Sequence, residues 1–266
     1  MSLLDGARGF MFDLDGTLVH RVRGGAGATA VPGAAAVIAK IRASGRPLVI
    51  FTNATHIAPA TLAAVATDAG IELSEREVIT PLASAAGHIL RRHPDARVFV
   101  LATGVARELI ASAGVHIVDE PAGADAIFVG HVETIDLDVL EGAARAVLGG
   151  ARLLVGSYAP AYAGADGPIL SRGAMVAAAV AKASGRRPTI VGKPSRAAVR
   201  EVGERLGLHA RDVAFIGDDL TMDIALGKLA GARTVLVATG ITGRNVNGRR
   251  RPDLVLDHVG ELLPLL

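Results

Sequence analysis

The chain has 266 residues, which is enough for one large domain or two modest ones with a true apolar core. Half of the residues are hydrophobic but only 3% are aromatic, so the core has to be built from Ala, Val, Leu and Ile. The net charge of +2 is too small to indicate a nucleic-acid partner, and the absence of cysteine excludes disulfides, thiolate nucleophiles and the usual structural zinc sites.

Signals for export, membrane insertion or nucleic-acid binding are weak in this chain. The first ten residues, MSLLDGARGF, are neither basic nor long enough in their apolar part to act as a signal peptide. The longest weakly polar segment, residues 173–185, is interrupted by Lys182 well short of a membrane span. The one basic run, residues 243–252, has no aromatic residues between its charges and is interpreted as a solvated loop. We therefore expect a soluble, cytoplasmic protein that binds neither membranes nor nucleic acid.

In chain order, short β-branched segments alternate with alanine-rich helical segments, a pattern typical of a largely parallel sheet covered by helices. Apolar residues recur at helical spacing from Ala34 to Ile41, and Gly45 is placed to end that helix. Ser195 is placed to cap a later helix at its amino terminus. Strands of this first unit are predicted at residues 9–13, 47–52, 213–217 and 234–237.

The middle of the chain shows an alternation of its own. We therefore predict an α/β fold with a doubly wound, Rossmann-like and mostly parallel sheet, into which a second α/β unit is inserted. The first domain would comprise residues 1–81 and 188–266, and the inserted domain residues 82–187. Within the insert, strands are predicted at residues 97–103, 125–132 and 152–157, and helices at residues 105–114, 136–150 and 171–185.

Polar side chains follow the strands of the first unit, where ligands of open parallel sheets collect. The acids among them would bind a hard divalent cation, whereas the hydroxyl, amide and ammonium groups would bind a phosphate. We also expect the lysine to follow a short strand of its own, at residues 189–192. The candidates, in chain order, are Asp13, Asp15, Gly16, Thr17, Thr52, Asn53, Lys193, Asp218, Asp219 and Asp223.

Each of these segments alone has a simpler explanation. A lone Asp-x-Asp pair is usually a turn or a helix cap, and "GDDLTMD" could be a helix start whose acids complement the helix dipole. Four independent turns, however, would not be expected to place this set of side chains at four strand ends in this order.

The segments "DLDGT", "FTN", "GKP" and "GDDLTMD" resemble the four ordered motifs of the haloacid dehalogenase superfamily, whose commonest members are magnesium-dependent phosphatases. The span between Asp15 and Thr52 is too short for a cap domain, whereas the span between Asn53 and Lys193 leaves room for one. A large α/β cap at that place is similar to subfamily IIA. That subfamily includes phosphatases of 4-nitrophenyl phosphate, phosphoglycolate, glycerol phosphate, pyridoxal phosphate and N-acetylglucosamine phosphate.

The resemblance implies a phosphatase acting on a small phosphorylated metabolite, with different tasks for the two acids of "DLDGT". Asp13 would be the nucleophile that forms an aspartyl-phosphate. Asp15 would protonate the leaving group and then deprotonate the attacking water. An acid at position 15 also argues against dehalogenase and phosphonate-cleaving activity, because the superfamily members with those activities lack it.

The resemblance also implies a Mg²⁺ site and a phosphate site. The Asp13 and Asp218 carboxylates and the Asp15 backbone carbonyl would hold Mg²⁺. Asp223 and Asp219 compete as the further acid that orients this site, and the pattern of the subfamily favours Asp223.

Three residues would bind the phosphate by the same resemblance. Thr52 would donate through its hydroxyl, and Asn53 through its backbone N–H. Lys193 would bridge Asp13 and the phosphate, so that the nucleophile can approach an anion.

The resemblance weakens in the cap loop, where many subfamily members carry an Asn and an Asp. This chain has "GSYAPAYAGADGPILSRGA" there, so substrate contacts are assigned only to Tyr158, Tyr162, Asp166 and Arg172 as candidates. Caps of the subfamily often pair, which makes a homodimer through the cap a further expectation. Residues 24–30 follow no buried strand and are interpreted as a flap beside the first motif rather than as a dinucleotide-binding loop.

Two other functions fit part of the pattern. A receiver-type signalling switch also places an acceptor Asp, a Thr and a Lys on a doubly wound sheet, but it is about half this length and carries its acceptor after the third strand. A capped relative without activity could bind a phosphorylated ligand, although all four motifs are intact here. A phosphomutase fits less well, because its cap usually lies between the first two motifs.

Overall fold

Two parallel sheets organise the residues that the computed structural model describes, which are 4, 6–22, 27–162, 167–244 and 251–266. The strands are β1 Gly9–Phe12, β2 Val19–Arg21, β3 Ala28–Ala30, β4 Leu48–Phe51, β5 Val78–Ile79, β6 Val98–Leu101, β7 Ile117–Val118, β8 Ala126–Val129, β9 Arg152–Val155, β10 Ala161–Tyr162, β11 Ile169–Leu170, β12 Thr189–Ile190, β13 Val213–Gly217, β14 Arg233–Val237 and β15 Leu254–Leu256.

Helices separate most of these strands. The α-helices are α1 Ala34–Ala43, α2 Pro59–Asp68, α3 Pro81–Arg92, α4 Gly104–Ser112, α5 Leu137–Leu148, α6 Arg172–Ser184, α7 Arg196–Leu206 and α8 Ala225–Ala230. A π-helical turn at Leu220–Ile224 precedes α8, and 3₁₀ turns occupy Glu75–Glu77, Ala210–Asp212 and Val259–Leu265. Within the described residues, no helix is long and apolar enough to cross a membrane.

The first sheet is doubly wound around β1. Its strand order is β15-β14-β13-β1-β4-β5, and every pair in it is parallel. Successive residues of a strand point to opposite faces. Phe10 and Phe12 therefore pack into one apolar cluster with α1 and α2, whereas Met11 packs into another with α7 and α8. The chain leaves β1 towards β4 on one side and returns to β13 on the other, so the switch point of the sheet lies at β1.

The second sheet has the order β12-β9-β8-β6-β7 and is also parallel throughout. Helices α3 and α4 cover one face and α5 and α6 the other. The predicted α/β fold, with a second α/β unit inserted into a mostly parallel sheet, is confirmed. The division into domains stays a prediction, and the pairing of β12 with β9 would place the second crossing after Ile190 rather than at residue 187.

The strand before Lys193 corrects one expectation. Thr189 and Ile190 form β12, which pairs with β9 in the second sheet and not with any strand of the first. Lys193 therefore approaches the first sheet from the segment that returns from the insert, and the expectation of a fourth strand end in the same sheet was wrong.

A short hairpin follows β1 and overlaps the segment interpreted as a flap, which stays a prediction. Strands β2 and β3 pair antiparallel, with Val19 opposite Ala30 and Arg21 opposite Ala28. Gly16, at the turn before β2, has φ 81°, a backbone conformation that glycine adopts without a steric cost. The Gly16 N–H donates to the Val19 carbonyl at 2.8 Å, which ties the turn to the hairpin. Residues 23–26, which include part of the predicted flap, and residues 245–250 of the basic run lie outside the described residues.

Ser195 caps α7 as the sequence predicts. Its hydroxyl accepts from the Ala198 N–H at 3.0 Å and donates to the Val191 carbonyl at 3.0 Å. Both contacts are buried, so the hydroxyl fixes the start of the helix and the segment that precedes it.

The Ser195→Ala variant is expected to lower the free energy of unfolding by about 1–2 kcal/mol. It removes the helix cap and leaves the buried Ala198 N–H and Val191 carbonyl without their hydrogen-bond partner. Urea denaturation followed by circular dichroism measures this. Ser112→Ala is the matched control, because Ser112 is exposed at the end of α4, and it should change stability by less than about 0.5 kcal/mol. Equal effects of the two variants would contradict the capping role.

Candidate active site

The carboxyl ends of β1, β4 and β13 meet at one edge of the first sheet and surround a cavity of about 90 Å³. Asp13 follows β1, Thr52 follows β4 and Asp218 follows β13, and all three side chains line the cavity. Each is at least nine-tenths buried. The parallel register of the sheet thus brings together residues that are far apart in sequence.

Lys193 enters this cavity from the segment after β12. The Asn53 side chain holds its backbone, with Oδ1 accepting from the Lys193 N–H at 3.0 Å and Nδ2 donating to its carbonyl at 3.2 Å. The Lys193 ammonium donates to Asp13 Oδ1 and, at 2.7 Å, to Asp223 Oδ1. Only 2% of Lys193 is exposed. Asn53 therefore contributes a side chain that orients the lysine, which the motif alone did not suggest.

Three buried carboxylates crowd around the lysine. Asp13, Asp218 and Asp223 each offer an oxygen atom, and these atoms all lie within 4.8 Å of one another. Burial raises the pKa of each of the three, and so does repulsion from the neighbouring acids, although Lys193 acts in the opposite direction. When all three acids are ionised, one ammonium does not balance their charge, and a bound cation would offset the remainder.

The backbone around the cluster is shaped to hold Asp218. Its Oδ2 accepts from the Ile241 N–H at 2.7 Å. A Cβ at Gly240 would lie 1.8 Å from the same oxygen, so only glycine fits at this position. Oxygen donors that are fixed in this way suit a hard divalent cation such as Mg²⁺ or Ca²⁺. The residues present therefore fit a metal site.

Asp223 and Asp219 play different parts in the geometry. Asp223 is 1% exposed, and its two oxygens accept from Lys193 and, at 3.1 Å, from the Asp219 N–H. The Asp219 carboxylate instead caps the π-helical turn, where Oδ1 accepts from the Thr221 N–H at 2.6 Å. The geometry therefore favours Asp223 as the further acid of the cluster.

The comparison with known proteins covers nearly the whole chain. A family model described as haloacid dehalogenase-like hydrolase matches residues 10–116, and a HAD-hydrolase-like model matches residues 190–262. Ribonucleotide monophosphatase NagD of Escherichia coli K12 is 32% identical over 233 residues, which cover 86% of this chain and 87% of that protein. This chain belongs to the haloacid dehalogenase-like hydrolases.

Other proteins similar to this hydrolase are named phosphatases. Sugar-phosphatase AraL of Bacillus subtilis is 29% identical over 257 residues, which cover 97% of this chain and 92% of that protein. The structure of a p-nitrophenyl phosphatase from Archaeoglobus fulgidus superposes with a TM-score of 0.85 at 30% identity, and the match covers 98% of this chain and 99% of that one. With its insert between Asn53 and Lys193, this hydrolase is a member of subfamily IIA, and the second sheet is its cap.

Asp15 lies outside the acidic cluster and faces an arginine that the sequence reasoning missed. Arg21 Nε donates to Asp15 Oδ1 at 2.5 Å and Nη2 donates to Oδ2 at 2.6 Å. Their side chains are only 12% and 10% exposed. Thr52 Oγ1 lies 3.4 Å from the same Oδ2. The hairpin strand β2 thus holds the carboxylate of Asp15 in a bidentate ion pair beside the cavity.

Two histidines line the cavity from the core and from the cap. The rings of His56 and His131 stack with centroids 4.2 Å apart. Burial lowers the pKa of His56 to about 4, and the nearby His131 and Arg21 act in the same direction, so His56 is neutral at pH 7. A groove of about 550 Å³ adjoins the cavity, and it shares Arg21 and both histidines as lining residues.

The four candidates in the cap loop have different positions. Tyr162 lines both the cavity and the groove, whereas Arg172 lines the groove alone and pairs with Glu133 Oε2 at 2.5 Å. Tyr158 packs against an apolar cluster of the cap and does not line either space. Asp166 lies outside the described residues.

A rule already used on the first sheet could have identified one of the missed residues. His131 follows β8 in the cap just as Asp13 follows β1 in the core, so inspecting the strand ends of the second sheet would have identified it. Arg21 carries no comparable signal, because nothing in the short polar segment around it fixes which way its side chain points.

Adding Mg²⁺ is expected to raise the melting temperature, because a cation at 100 times its Kd stabilises the folded state by about 2.7 kcal/mol. Asp218→Asn should lose most of this shift. The metal-free form of that variant should be at least as stable as the original protein, since one of three crowded, buried carboxyl groups is gone. Asp219→Asn should keep the shift, because the Asp219 carboxylate caps the π-helical turn and is not part of the acid cluster. Asparagine caps a helix as well as aspartate does, so the fold should be unaffected. Differential scanning fluorimetry with Mg²⁺ and with EDTA measures this, and equal shifts in all three proteins would contradict a site at the cluster.

Proposed function

We propose that this hydrolase is a Mg²⁺-dependent phosphatase that removes phosphate from a small phosphomonoester, with Asp13 as the nucleophile. The observation that carries the proposal is the position of the buried Lys193 ammonium, which lies between Asp13 and Asp223 and lines the same cavity as Asp218. A carboxylate can approach a phosphate dianion only where positive charge offsets their repulsion. The buried ammonium supplies part of that charge, and a cation bound to the acids would supply the rest.

In the first step, an oxygen of Asp13 attacks phosphorus. The bond between phosphorus and the leaving oxygen breaks, its electron pair stays on the leaving oxygen, and an aspartyl-phosphate forms. The proton for the leaving oxygen comes from Asp15. This requires the Asp15 carboxyl group to turn at least one oxygen away from Arg21, which holds both of them in the structure.

In the second step, a water molecule attacks the phosphorus of the aspartyl-phosphate. Asp15 accepts the proton of this water, and the bond between phosphorus and Asp13 breaks, which releases inorganic phosphate, restores the Asp13 carboxylate and returns Asp15 to its protonated form. Asp15 lines both the cavity and the groove, so the same carboxyl group can reach the leaving oxygen in the first step and the water that takes its place in the second.

The phosphate itself would be held by the loop after β4 and by Lys193. The Thr52 hydroxyl lines the cavity and accepts from the Ala54 N–H at 3.2 Å, which curls the loop around it. The Asn53 backbone N–H would donate to a second phosphate oxygen, while the Asn53 side chain keeps Lys193 in place. One loop thus binds the phosphate and orients the ammonium.

A bound Mg²⁺ would neutralise charge on the phosphate and on the acids. The Asp13 and Asp218 carboxylates and the Asp15 carbonyl are the groups that would hold it. Asp223 has partners for both carboxylate oxygens, Lys193 and the Asp219 N–H, so its role is to orient Lys193.

Sugar phosphates and nucleotides are the substrates that the relatives support. AraL is named a sugar-phosphatase, NagD a ribonucleotide monophosphatase and YutF of Bacillus subtilis a 5'-nucleotidase. The groove beside the cavity has room for a leaving group of that size and combines apolar residues such as Leu62 with the polar Arg21, His56 and His131. Tyr162 and Arg172 are the cap residues that would contact it.

Purified protein with Mg²⁺ is expected to hydrolyse 4-nitrophenyl phosphate and members of a panel of sugar phosphates, glycerol phosphate, phosphoglycolate, pyridoxal phosphate and nucleotides, and EDTA should stop it. Phosphate release measures the rate. If no ester of this panel is hydrolysed, the proposed function is wrong.

Asp13→Asn is expected to lower the turnover number by at least about 10³-fold, because an amide does not act as a nucleophile at phosphorus. Asp95→Asn is the matched control at an exposed turn and should keep full activity. Circular dichroism establishes that both variants fold. A folded Asp13→Asn protein with more than a trace of activity would place the nucleophile elsewhere.

A further inference from the structure

The loop after β4 contacts the cap through Thr55, a residue that neither the motif nor the mechanism uses. Thr55 belongs to the core, but its side chain is only 5% exposed because it enters the cap between Gly130 and Gly156. These glycines follow β8 and β9, which are neighbouring strands of the cap sheet. The Thr55 Oγ1 accepts from the His131 N–H at 2.7 Å.

The glycines are required by space and not by backbone conformation. Neither Gly130 nor Gly156 has a positive φ, so another residue could adopt either backbone conformation. A Cβ at Gly156, however, would lie 2.5 Å from Thr55 Cγ2, and a Cβ at Gly130 would lie 3.1 Å from Thr55 Oγ1. We call the space between them the glycine socket. It exists only because both residues lack a side chain, and Thr55 fills it.

The contact lies beside the covalent connections between cap and core, because Gly156 also packs against Pro81 at the start of α3 and against Gly192 after β12. The chain crosses to the cap before α3 and returns after β12, and on that side α3 packs against α7, with Arg91 pairing to Glu204 at 3.2 Å. Thr55 lies between these crossings and the cavity, which it lines together with the His56–His131 stack. It is therefore placed to fix how far the cap stands from the acid cluster.

The same loop contains the residues proposed to bind the phosphate. Thr52 lies three residues before Thr55, and its hydroxyl accepts from Ala54, the residue between Asn53 and Thr55. A shift of the cap would pull on Thr55 and thereby on the segment that holds Thr52 and Asn53. Closure of the cap would thus be coupled to the ordering of the loop after β4.

We propose that Thr55 is a positioning residue that locks the closed cap onto the phosphate-binding loop by filling the glycine socket and accepting the His131 N–H. The proposal rests on the proposed function, because it assigns Thr55 a role in the same reaction. It predicts two separable contributions, one from the hydroxyl and one from the methyl group.

Thr55→Val keeps the shape of the side chain but leaves the buried His131 N–H without its acceptor. We expect amide hydrogen exchange at His131 and its neighbours to become about ten-fold faster, and KM to rise about ten-fold with a smaller change in kcat. Thr189→Val is the matched control, since Thr189 is exposed on β12, and it should change neither quantity.

Gly156→Ala tests the socket from the other side. The new methyl group would collide with Thr55 Cγ2, so the cap should open, and KM and exchange at the cap–core contact should rise by about ten-fold or more. Thr55→Ser keeps the hydroxyl and removes Cγ2, so the double variant Thr55→Ser/Gly156→Ala should return to within about three-fold of the original protein in both quantities.

Two results would overturn the proposal. One is a double variant that is no better than Gly156→Ala alone. The other is an unchanged KM and exchange rate in a folded Thr55→Val protein. Hydrogen exchange does not require turnover, so a protein that hydrolyses no phosphomonoester but shows the expected exchange pattern would refute the proposed function and leave the Thr55 contact standing. Should Gly156→Ala fail to fold, recovery of folding in the double variant supports the socket and failure of both refutes it.

Discussion

The buried ammonium of Lys193 is the interaction on which the site depends. Removing a charge from water is costly, and a buried ammonium is stable only where carboxylates compensate it. Asp13 and Asp223 do so here, and the Asn53 side chain fixes the lysine backbone between them. The lysine in turn allows three acids to share one cavity, although their mutual repulsion and burial still raise the pKa of each.

The same residues decide what the cavity can do. A group of acids with one ammonium attracts a cation and then a phosphate, whereas the acids alone would repel the phosphate. Asp15 is kept apart from this cluster by Arg21, which explains how two carboxylates only two residues apart can have different tasks. Residues of the cap line the other end of the cavity, and the loop after β4 reaches both the proposed phosphate site and the glycine socket around Thr55.

Much of this arrangement was predictable because it follows from local pattern and sheet topology. Alternating elements predicted the two parallel sheets, and strand ends predicted that Asp13, Thr52 and Asp218 converge. What could not be predicted depends on side-chain direction within the core and on how the cap lies on the core. Arg21 acts through the direction of its side chain, and Thr55 acts through a contact between core and cap. Neither the direction nor the contact is encoded in the residues next to them in the sequence.

The central claim is that the phosphoryl group passes through Asp13, and acid quenching tests it most directly. In the Asp15→Asn variant, 4-nitrophenyl phosphate should still react, because its leaving group needs no proton, while the loss of the base slows the second step. With ³²P-labelled substrate, the account predicts a hydroxylamine-sensitive label on the peptide that contains Asp13. Release of nitrophenol with no label there, or with the label on another peptide, would contradict it.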